Sequence, residues 1–150
     1  MPIIKNIHRI KEDAYQNNAI LALDFGTKRF GLAISDQSGL IATPLANLER
    51  SENDQDIAYL TRLIIENNAC AVVMGLPKDF NNQTTTTTQQ VKSFANLLSQ
   101  KIEQNIFFWD ERYSSKAAEK IAEHKEFRNV KDDKIAATLI LQGFLDFKNG

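Results

Sequence analysis

The chain has 150 residues, with 18 Lys and Arg, 19 Asp and Glu, a single Cys and a formal net charge of −1. This length predicts one domain, and a content of 43% hydrophobic and 25% charged residues is typical of a globular protein. The balanced charge excludes a uniformly basic surface, so any surface that binds nucleic acid must be local.

The N-terminal sequence predicts a cytoplasmic protein. MPIIKNIHRIKEDAYQNN has charges where a secretory signal needs a long apolar core. No apolar run reaches the roughly 18 residues that a membrane-spanning helix needs. The single cysteine excludes an internal disulfide and fits a reducing compartment. We expect residues 1–18 to be an N-terminal extension, an arm or a short helix on the surface, and residues 19–150 to form the domain.

Three short apolar segments predict the first three strands. Residues 19–25 and 30–35 are joined by Gly26-Thr-Lys-Arg, and this short connection predicts an antiparallel hairpin. The sequence Asp-Gln-Ser-Gly at 36–39 has turn composition. Residues 43–48 are the predicted third strand.

The pattern then changes to helix, strand and loop. Apolar residues at helical spacing predict an amphipathic helix over 52–67, with Ser51 as its N-cap. The run CAVVM at 70–74 predicts a buried fourth strand. The threonine run 84–88 is poor material for a helix interior, so a loop is expected there, with the next helix under way by about residue 90.

The C-terminal third contains a fifth strand and two further helices. Residues 106–109 are the predicted strand, and residues 114–124 are the first predicted helix. Either Asp132 or Asp133 is the predicted N-cap of the last helix.

The predicted order β-β-β-α-β-α-β-α-α indicates an α/β fold. Helical crossovers separate strands 1, 4 and 5, so these strands should be parallel in one sheet. Their carboxyl ends then share an edge, which is where open α/β folds bind ligands. The residues at this edge are Asp24, Gly75, Asp110 and Glu111.

Acidic residues at the ends of these elements are candidate metal ligands. Asp24 ends strand 1, Asp110 and Glu111 end strand 5, and Asp133 opens the last helix. Carboxylate oxygens suit Mg²⁺ and Mn²⁺, and two such ions can activate water for phosphodiester hydrolysis. The structural alternatives are a hairpin-entry residue for Asp24, an N-cap for Asp133 and solvated strand ends for Asp110 and Glu111.

Basic residues lie near the same edge. Lys28 and Arg29 occupy the hairpin connection, and Arg112 begins a basic stretch that continues through Lys116 and Lys120. Such residues could follow a phosphate backbone. Because glutamates are interleaved with the second group, an exposed helix with many ion pairs is the alternative.

Other reactive residues give little signal. His8 and His124 have no Cys or His partners at metal-binding spacing, so zinc is not expected. Cys70 opens a buried strand and is expected to pack in the core. The chain has neither a Walker A nor a GxGxxG motif.

Four motifs, in order, resemble the YqgF/RuvX family of pre-16S rRNA nucleases and Holliday-junction-resolvase-like proteins. They are LALDFGTKRFGLAISD, VVMGLPKDF, DERYSS and DKIAATLILQGFLD, within about residues 19–147. The resemblance implies an RNase H-like fold, with a five-stranded mixed sheet whose first three strands are antiparallel, flanked by helices. The threonine run and the segment before the last helix depart from the family pattern.

The resemblance also implies a set of site residues. Those implied to be catalytic metal ligands for Mg²⁺ or Mn²⁺ are Asp24, Glu111 and Asp133, with Asp110 as the alternative to Glu111. Those implied to contact substrate are Lys28, Arg29 and Arg112.

The resulting hypothesis is a metal-dependent endonuclease, a hydrolase of phosphodiester bonds that matures the 5′ end of pre-16S rRNA. A Holliday junction resolvase is the alternative within the same chemistry. A non-catalytic RNA or ribosome-assembly binding module and an actin-like nucleotide-binding module are the alternatives of another class. The expected partner is nucleic acid, either pre-rRNA or branched DNA, with no membrane, and the chain is expected to be a monomer or a homodimer.

Overall fold

A computed structural model describes residues 3–76, 86–110 and 133–150 of the chain. Glu111, Arg112, the predicted helix 114–124 and most of the predicted loop 78–90 lie outside these ranges. Within the described residues, no helix is long and apolar enough to cross a membrane.

A mixed β-sheet forms the centre of the fold. Its strands are β1 (Ile3–Ile4), β2 (Ala19–Asp24), β3 (Arg29–Ser35), β4 (Ala42–Glu49), β5 (Ala69–Leu76) and β6 (Asn105–Asp110). Their order across the sheet is β1-β6-β5-β2-β3-β4. The strands β2, β3 and β4 pair antiparallel, whereas β5 pairs parallel with both β2 and β6. The predicted antiparallel start and the parallel arrangement of the later strands are therefore confirmed.

The prediction of a five-stranded sheet is wrong, because the first residues add a sixth strand. Ile3 and Ile4 pair in parallel with Ile106 and Phe107 at the edge of the sheet. A strand of two residues has no readable alternation, and its partner is about one hundred residues away, so no local pattern reveals it. Two 3-10 helices, Ile7–Lys11 and Asp13–Tyr15, follow it.

In the described part of the chain, three α-helices cover the sheet: α1 (Asn53–Glu66), α2 (Thr86–Ser99) and α3 (Asp133–Asn149). The α2 helix begins inside the threonine run. The sequence predicts Ser51 as the N-cap of α1, and this prediction is wrong. The N-cap is Glu52, whose side chain makes no capping hydrogen bond, and the backbone N–H of Ser51 instead donates to the carboxylate of Asp56.

A hydrophobic core lies on each face of the sheet. The first core packs α1 and α2 against the sheet through residues such as Phe30, Leu60 and Phe94. The second packs α3 against the opposite face, with Phe107 and Phe144 fully buried there. Burying a side chain of this size contributes roughly 1.5–3 kcal/mol, so both faces stabilise the fold. The central strands are consequently apolar on both sides, which explains their continuous hydrophobic runs.

Candidate active site

Asp24 is the last residue of β2 and is half-buried. Side chains alternate between the two faces of a strand. Ile20 and Ala22 pack in the core beneath α3, whereas Leu21 and Leu23 pack in the other core. Asp24 therefore lies on the face that α3 covers.

The start of α3 lies against the strand next to Asp24. Gly31 of β3 is the antiparallel partner of Asp24. A Cβ at Gly31 would stand 1.8 Å from the backbone oxygen of Asp133 and 2.1 Å from its carbonyl carbon. Only glycine permits this approach. Because the Cα atoms of antiparallel partners are about 4.5–5.5 Å apart, the first residue of α3 lies roughly one strand spacing from Asp24.

A side chain from β4 fixes the same helix end. Asn47 is the partner of Gly31 on β4, and its Oδ1 accepts a hydrogen bond of 2.8 Å from the backbone N–H of Lys134. This bond satisfies one of the helix N–H groups that have no partner inside the helix. The sequence does not reveal this role of Asn47, because 87 positions separate it from Lys134. Its one available signal is an Asn in a strand, where this residue type is uncommon.

Arg29, the first residue of β3, forms an ion pair with Asp133. Its Nε lies 3.1 Å from Oδ2 of Asp133, and the two side chains are 54% and 35% exposed. The side chain of Lys28, in the turn before Arg29, is exposed. The structure thus brings Arg29 and Asp133 together beside the strand end that carries Asp24, and it places Lys28 in the adjoining turn.

Asp110 is not among them, because it lies on the other face of the sheet. It alternates with Trp109, which packs in the core beneath α3. Together with Phe108 and Lys92 of α2, Asp110 lines an open groove of about 600 Å³. Asp24 and Asp110 therefore lie at the same end of the parallel strands but on opposite faces of the sheet. Glu111 and Arg112 lie outside the described residues.

Asp24 and Asp133 supply hard oxygen donors of the kind that Mg²⁺ and Mn²⁺ prefer. The part of the chain that the structure describes contains no group of three or more His, Cys, Asp and Glu residues able to hold a metal ion. In donor type the two aspartates fit a divalent cation, and a complete site needs a further ligand.

Cys70 has no place in this site. It is half-buried in β5, and burial raises the pKa of its thiol. A raised pKa leaves less of the reactive thiolate at neutral pH. The geometry agrees with a packing role for this residue.

Comparison with known proteins supplies the family. The family described as "RuvX: Holliday junction resolvase" matches residues 18–147. The chain belongs to the RuvX family. The family predicted from the four motifs is thereby confirmed.

Curated relatives are similar over nearly their whole length. A protein of Ehrlichia ruminantium (strain Welgevonden), named "Putative pre-16S rRNA nuclease", is 38% identical over 149 residues, which cover 96% of this chain and 95% of the relative. A protein of Koribacter versatilis (strain Ellin345) with the same name is 36% identical over 141 residues, with 91% and 92% covered.

Solved structures support the RNase H-like type of fold for this RuvX chain. RuvC of T. thermophilus in complex with a Holliday junction substrate superposes with a TM-score of 0.59 at 11% identity, covering 89% of this chain and 96% of RuvC. The Fowlpox virus resolvase in complex with Holliday junction DNA gives a TM-score of 0.50 at 13% identity, with 86% and 98% covered. At these identities the likeness concerns the fold alone.

Proposed function

We propose that this RuvX-family chain is a divalent-metal-dependent endonuclease that hydrolyses phosphodiester bonds of structured RNA, and that it matures the 5′ end of pre-16S rRNA in the cytoplasm. The observation that carries the proposal is the meeting of Asp24 and Asp133 on one face of the sheet, with Arg29 beside them. Curated relatives that are named for a pre-16S rRNA nuclease support the choice of substrate.

In this proposal Asp24, Asp133 and Glu111 hold Mg²⁺ or Mn²⁺. Asp110 faces the opposite side from Asp24, which favours Glu111 as the ligand from the DER motif. When bound, a divalent ion lowers the pKa of its water and stabilises the negative charge that develops on the phosphate. The aspartates act mainly as ligands, and one carboxylate can accept a proton from the attacking water.

The cationic residues of the turn bind the phosphate backbone in this account, together with Arg112. Arg29 neutralises Asp133 in this structure, and both side chains are exposed enough to exchange partners. A guanidinium can donate two parallel hydrogen bonds to a phosphate, whereas Lys28 would act as a mobile point charge. This local cluster supplies the positive surface that the net charge of −1 does not supply overall.

A Holliday junction resolvase is the second candidate. The description of the family that matches the chain favours it. The two functions share the proposed metal chemistry and differ in the substrate that the surrounding surface accepts. A two-fold symmetric junction would be cut by a homodimer, whereas one RNA end needs a single active site.

The test is a cleavage assay with the purified full chain and Mn²⁺ on three substrates. These are an RNA that carries the 5′ precursor end of 16S rRNA, a four-way DNA junction and a linear DNA duplex. We expect cleavage of the RNA, and we expect Asp24→Asn to reduce the rate by more than about 100-fold, since even indirect partners of metal ligands are worth 10–100-fold.

The matched control is Asp54→Asn, an exposed aspartate in the first turn of α1 that contacts none of the site residues that the structure describes. It should cleave at the wild-type rate. Preferential cleavage of the four-way junction would favour the resolvase over the RNA nuclease. Cleavage that survives Asp24→Asn would contradict the mechanism.

A further inference from the structure

The guanidinium of Arg50 contacts a buried carboxylate and three aromatic rings at the margin of the first core. Its side chain is 15% exposed, and its Nε lies 2.9 Å from Oδ2 of Asp56, which is 1% exposed. The guanidinium carbon also lies 4.4 Å from the ring centroid of Phe30, 5.0 Å from that of Phe25 and 5.5 Å from that of Phe94. An arginine held by a buried carboxylate and three aromatic rings has little freedom to move.

The remaining donors of Arg50 hold the turn between β2 and β3. Nη1 donates to the backbone oxygen of Gly26 at 3.2 Å, and the backbone N–H of Arg50 donates to the backbone oxygen of Lys28 at 2.8 Å. Nη2 donates to Oδ1 of Asn53 at 2.8 Å, so the start of α1 is part of the same arrangement. The two carbonyl contacts lie at either side of Thr27, so Arg50 spans the turn.

The middle of this turn is open to solvent. Thr27, Lys28 and Arg29 are exposed, and a Cβ at Gly26 would stand 2.3 Å from the backbone oxygen of Arg29, which shows how tightly the chain reverses. The turn directly follows Asp24 and contains Lys28, and it leads into Arg29. Its conformation therefore decides where both cations stand relative to the two aspartates.

Arg50 acts on the turn from the side opposite the aspartates. Phe30 and Phe94 belong to the core beneath α1 and α2, whereas Asp24 lies on the face that α3 covers. Its contacts with the turn go to backbone oxygens, so they do not depend on which side chains the turn presents.

We propose that Arg50 is a positioning residue for substrate, which fixes the turn so that Lys28 and Arg29 stand ready to bind phosphate beside Asp24. The inference rests on the proposed nuclease function for its substrate part. Its structural part, the fixing of the turn, stands on the contacts of Arg50 alone.

Arg50→Lys is the test variant. Lysine keeps a positive charge for Asp56 but lacks the planar fork that reaches Asp56, Gly26 and Asn53 together. The matched control is Arg62→Lys. Arg62 lies on α1, forms an ion pair of 3.6 Å with Glu66 and stands 5.2 Å from the ring of Tyr59, but it is 63% exposed and makes none of the contacts with the turn.

The first measurement is amide hydrogen exchange in the full chain, followed by mass spectrometry of peptides that cover residues 25–30. We expect exchange in this turn to be at least about fivefold faster in Arg50→Lys than in the wild type and unchanged in Arg62→Lys. Asn53→Ala removes a single acceptor at an exposed position, and it should give a smaller change in the same direction if Arg50→Lys does not fold. Unchanged exchange of the turn in both Arg50→Lys and Asn53→Ala would overturn the proposal.

The second measurement is steady-state cleavage of the 16S precursor RNA at several salt concentrations. A displaced phosphate contact should raise KM of Arg50→Lys about tenfold and leave kcat within about twofold. The slope of log KM against log salt concentration should fall by roughly 0.7–0.9, which corresponds to one phosphate contact. Loss of folded protein alone would lower kcat at unchanged KM and unchanged salt slope, and that result would overturn the positioning role.

The two hypotheses fail in different ways. If the wild-type chain cleaves none of the substrates, the proposed nuclease function fails. Faster exchange in the turn of Arg50→Lys would still support the structural part of the inference, and unchanged exchange would overturn it.

Discussion

At the scale of single residues, the absence of a side chain at Gly31 allows the start of α3 to lie directly against β3. The backbone of Asp133 occupies the space that any side chain at Gly31 would need. The sequence places Gly31 in a strand, where glycine weakens pairing, and a close approach of another backbone is one of the reasons for finding it there.

Gly31→Ala should therefore move the start of α3. We expect a loss of about 1–3 kcal/mol in the free energy of unfolding, because the added methyl group must displace backbone atoms. Nuclease activity should fall by more than the loss of folded protein explains, since Asp133 moves away from Asp24. Urea denaturation and the cleavage assay measure the two effects. An alanine variant with wild-type stability and activity would contradict the described contact.

A second residue-scale prediction concerns Asp36, which closes the turn between β3 and β4. The hydroxyl of Ser38 donates to its carboxylate, and the backbone N–H groups of Ile41 and Leu40 donate to Oδ1 at 3.0 and 2.9 Å. These bonds lower the pKa of Asp36 from its ordinary 3.8 to about 2.

Because the folded pKa lies below the unfolded one, the carboxylate stabilises the fold above about pH 4, and this contribution is lost as the pH falls towards 2. Asp36→Asn should lower the free energy of unfolding at pH 7 by about 1 kcal/mol and reduce its decline between pH 4 and 2. Thermal unfolding over this pH range, with Asp54→Asn as control, provides the measurement. An unaltered pH profile in Asp36→Asn would contradict this assignment.

At the scale of elements, the start of α3 depends on a neighbouring strand. Asn47 of β4 accepts the N–H of Lys134, so the cap of this helix comes from the other side of Gly31. Asn47→Ala should cost about 1 kcal/mol, the typical value of a lost N-cap.

Asn47→Asp keeps an acceptor oxygen and adds a negative charge at the positive end of the helix. It should retain the stability that alanine loses. Chemical denaturation of the two variants beside the wild type checks this difference. Wild-type stability of the alanine variant would show that Asn47 does not cap α3.

The elements also show what the sequence could predict. The hairpin, the helix over 52–67 and the parallel strands follow from local periodicity and turn composition, and the structure confirms them. The strand Ile3–Ile4 and the cap from Asn47 depend on partners far along the chain, so no local pattern contains them. Ser51 had the right residue type for an N-cap, but α1 begins one residue later than predicted and the hydroxyl of Ser51 donates to Gln55 instead.

Some residues of the candidate site could likewise be proposed from the sequence, and others could not. Asp24 and Asp133 could be proposed as site residues from the sequence, because each stands at the end of an element with a clear pattern. The sequence left the choice between Asp110 and Glu111 open. The structure places Asp110 on the face opposite Asp24, and Glu111 lies outside the described residues. Arg50 was missed altogether, because its role comes from contacts with Asp56, Gly26 and three aromatic rings that only the folded chain assembles.

At the scale of the whole molecule, the sheet separates two tasks. The face beneath α3 brings Asp24 and Asp133 together, whereas the face beneath α1 and α2 holds the turn through Arg50. In the proposed function, one face supplies the metal ligands and the other fixes the cations that bind phosphate. A nearly neutral chain can thus have a local surface suited to nucleic acid.

The proposed function requires Asp24 and Asp133 to form part of one metal site. Crystals of the full chain soaked in Mn²⁺ and measured at a wavelength where manganese scatters anomalously test it most directly. We predict an anomalous peak within coordinating distance of both Asp24 and Asp133, which is lost in Asp24→Asn. A well-ordered Asp24 without a manganese peak at saturating Mn²⁺ would contradict the proposed metal site.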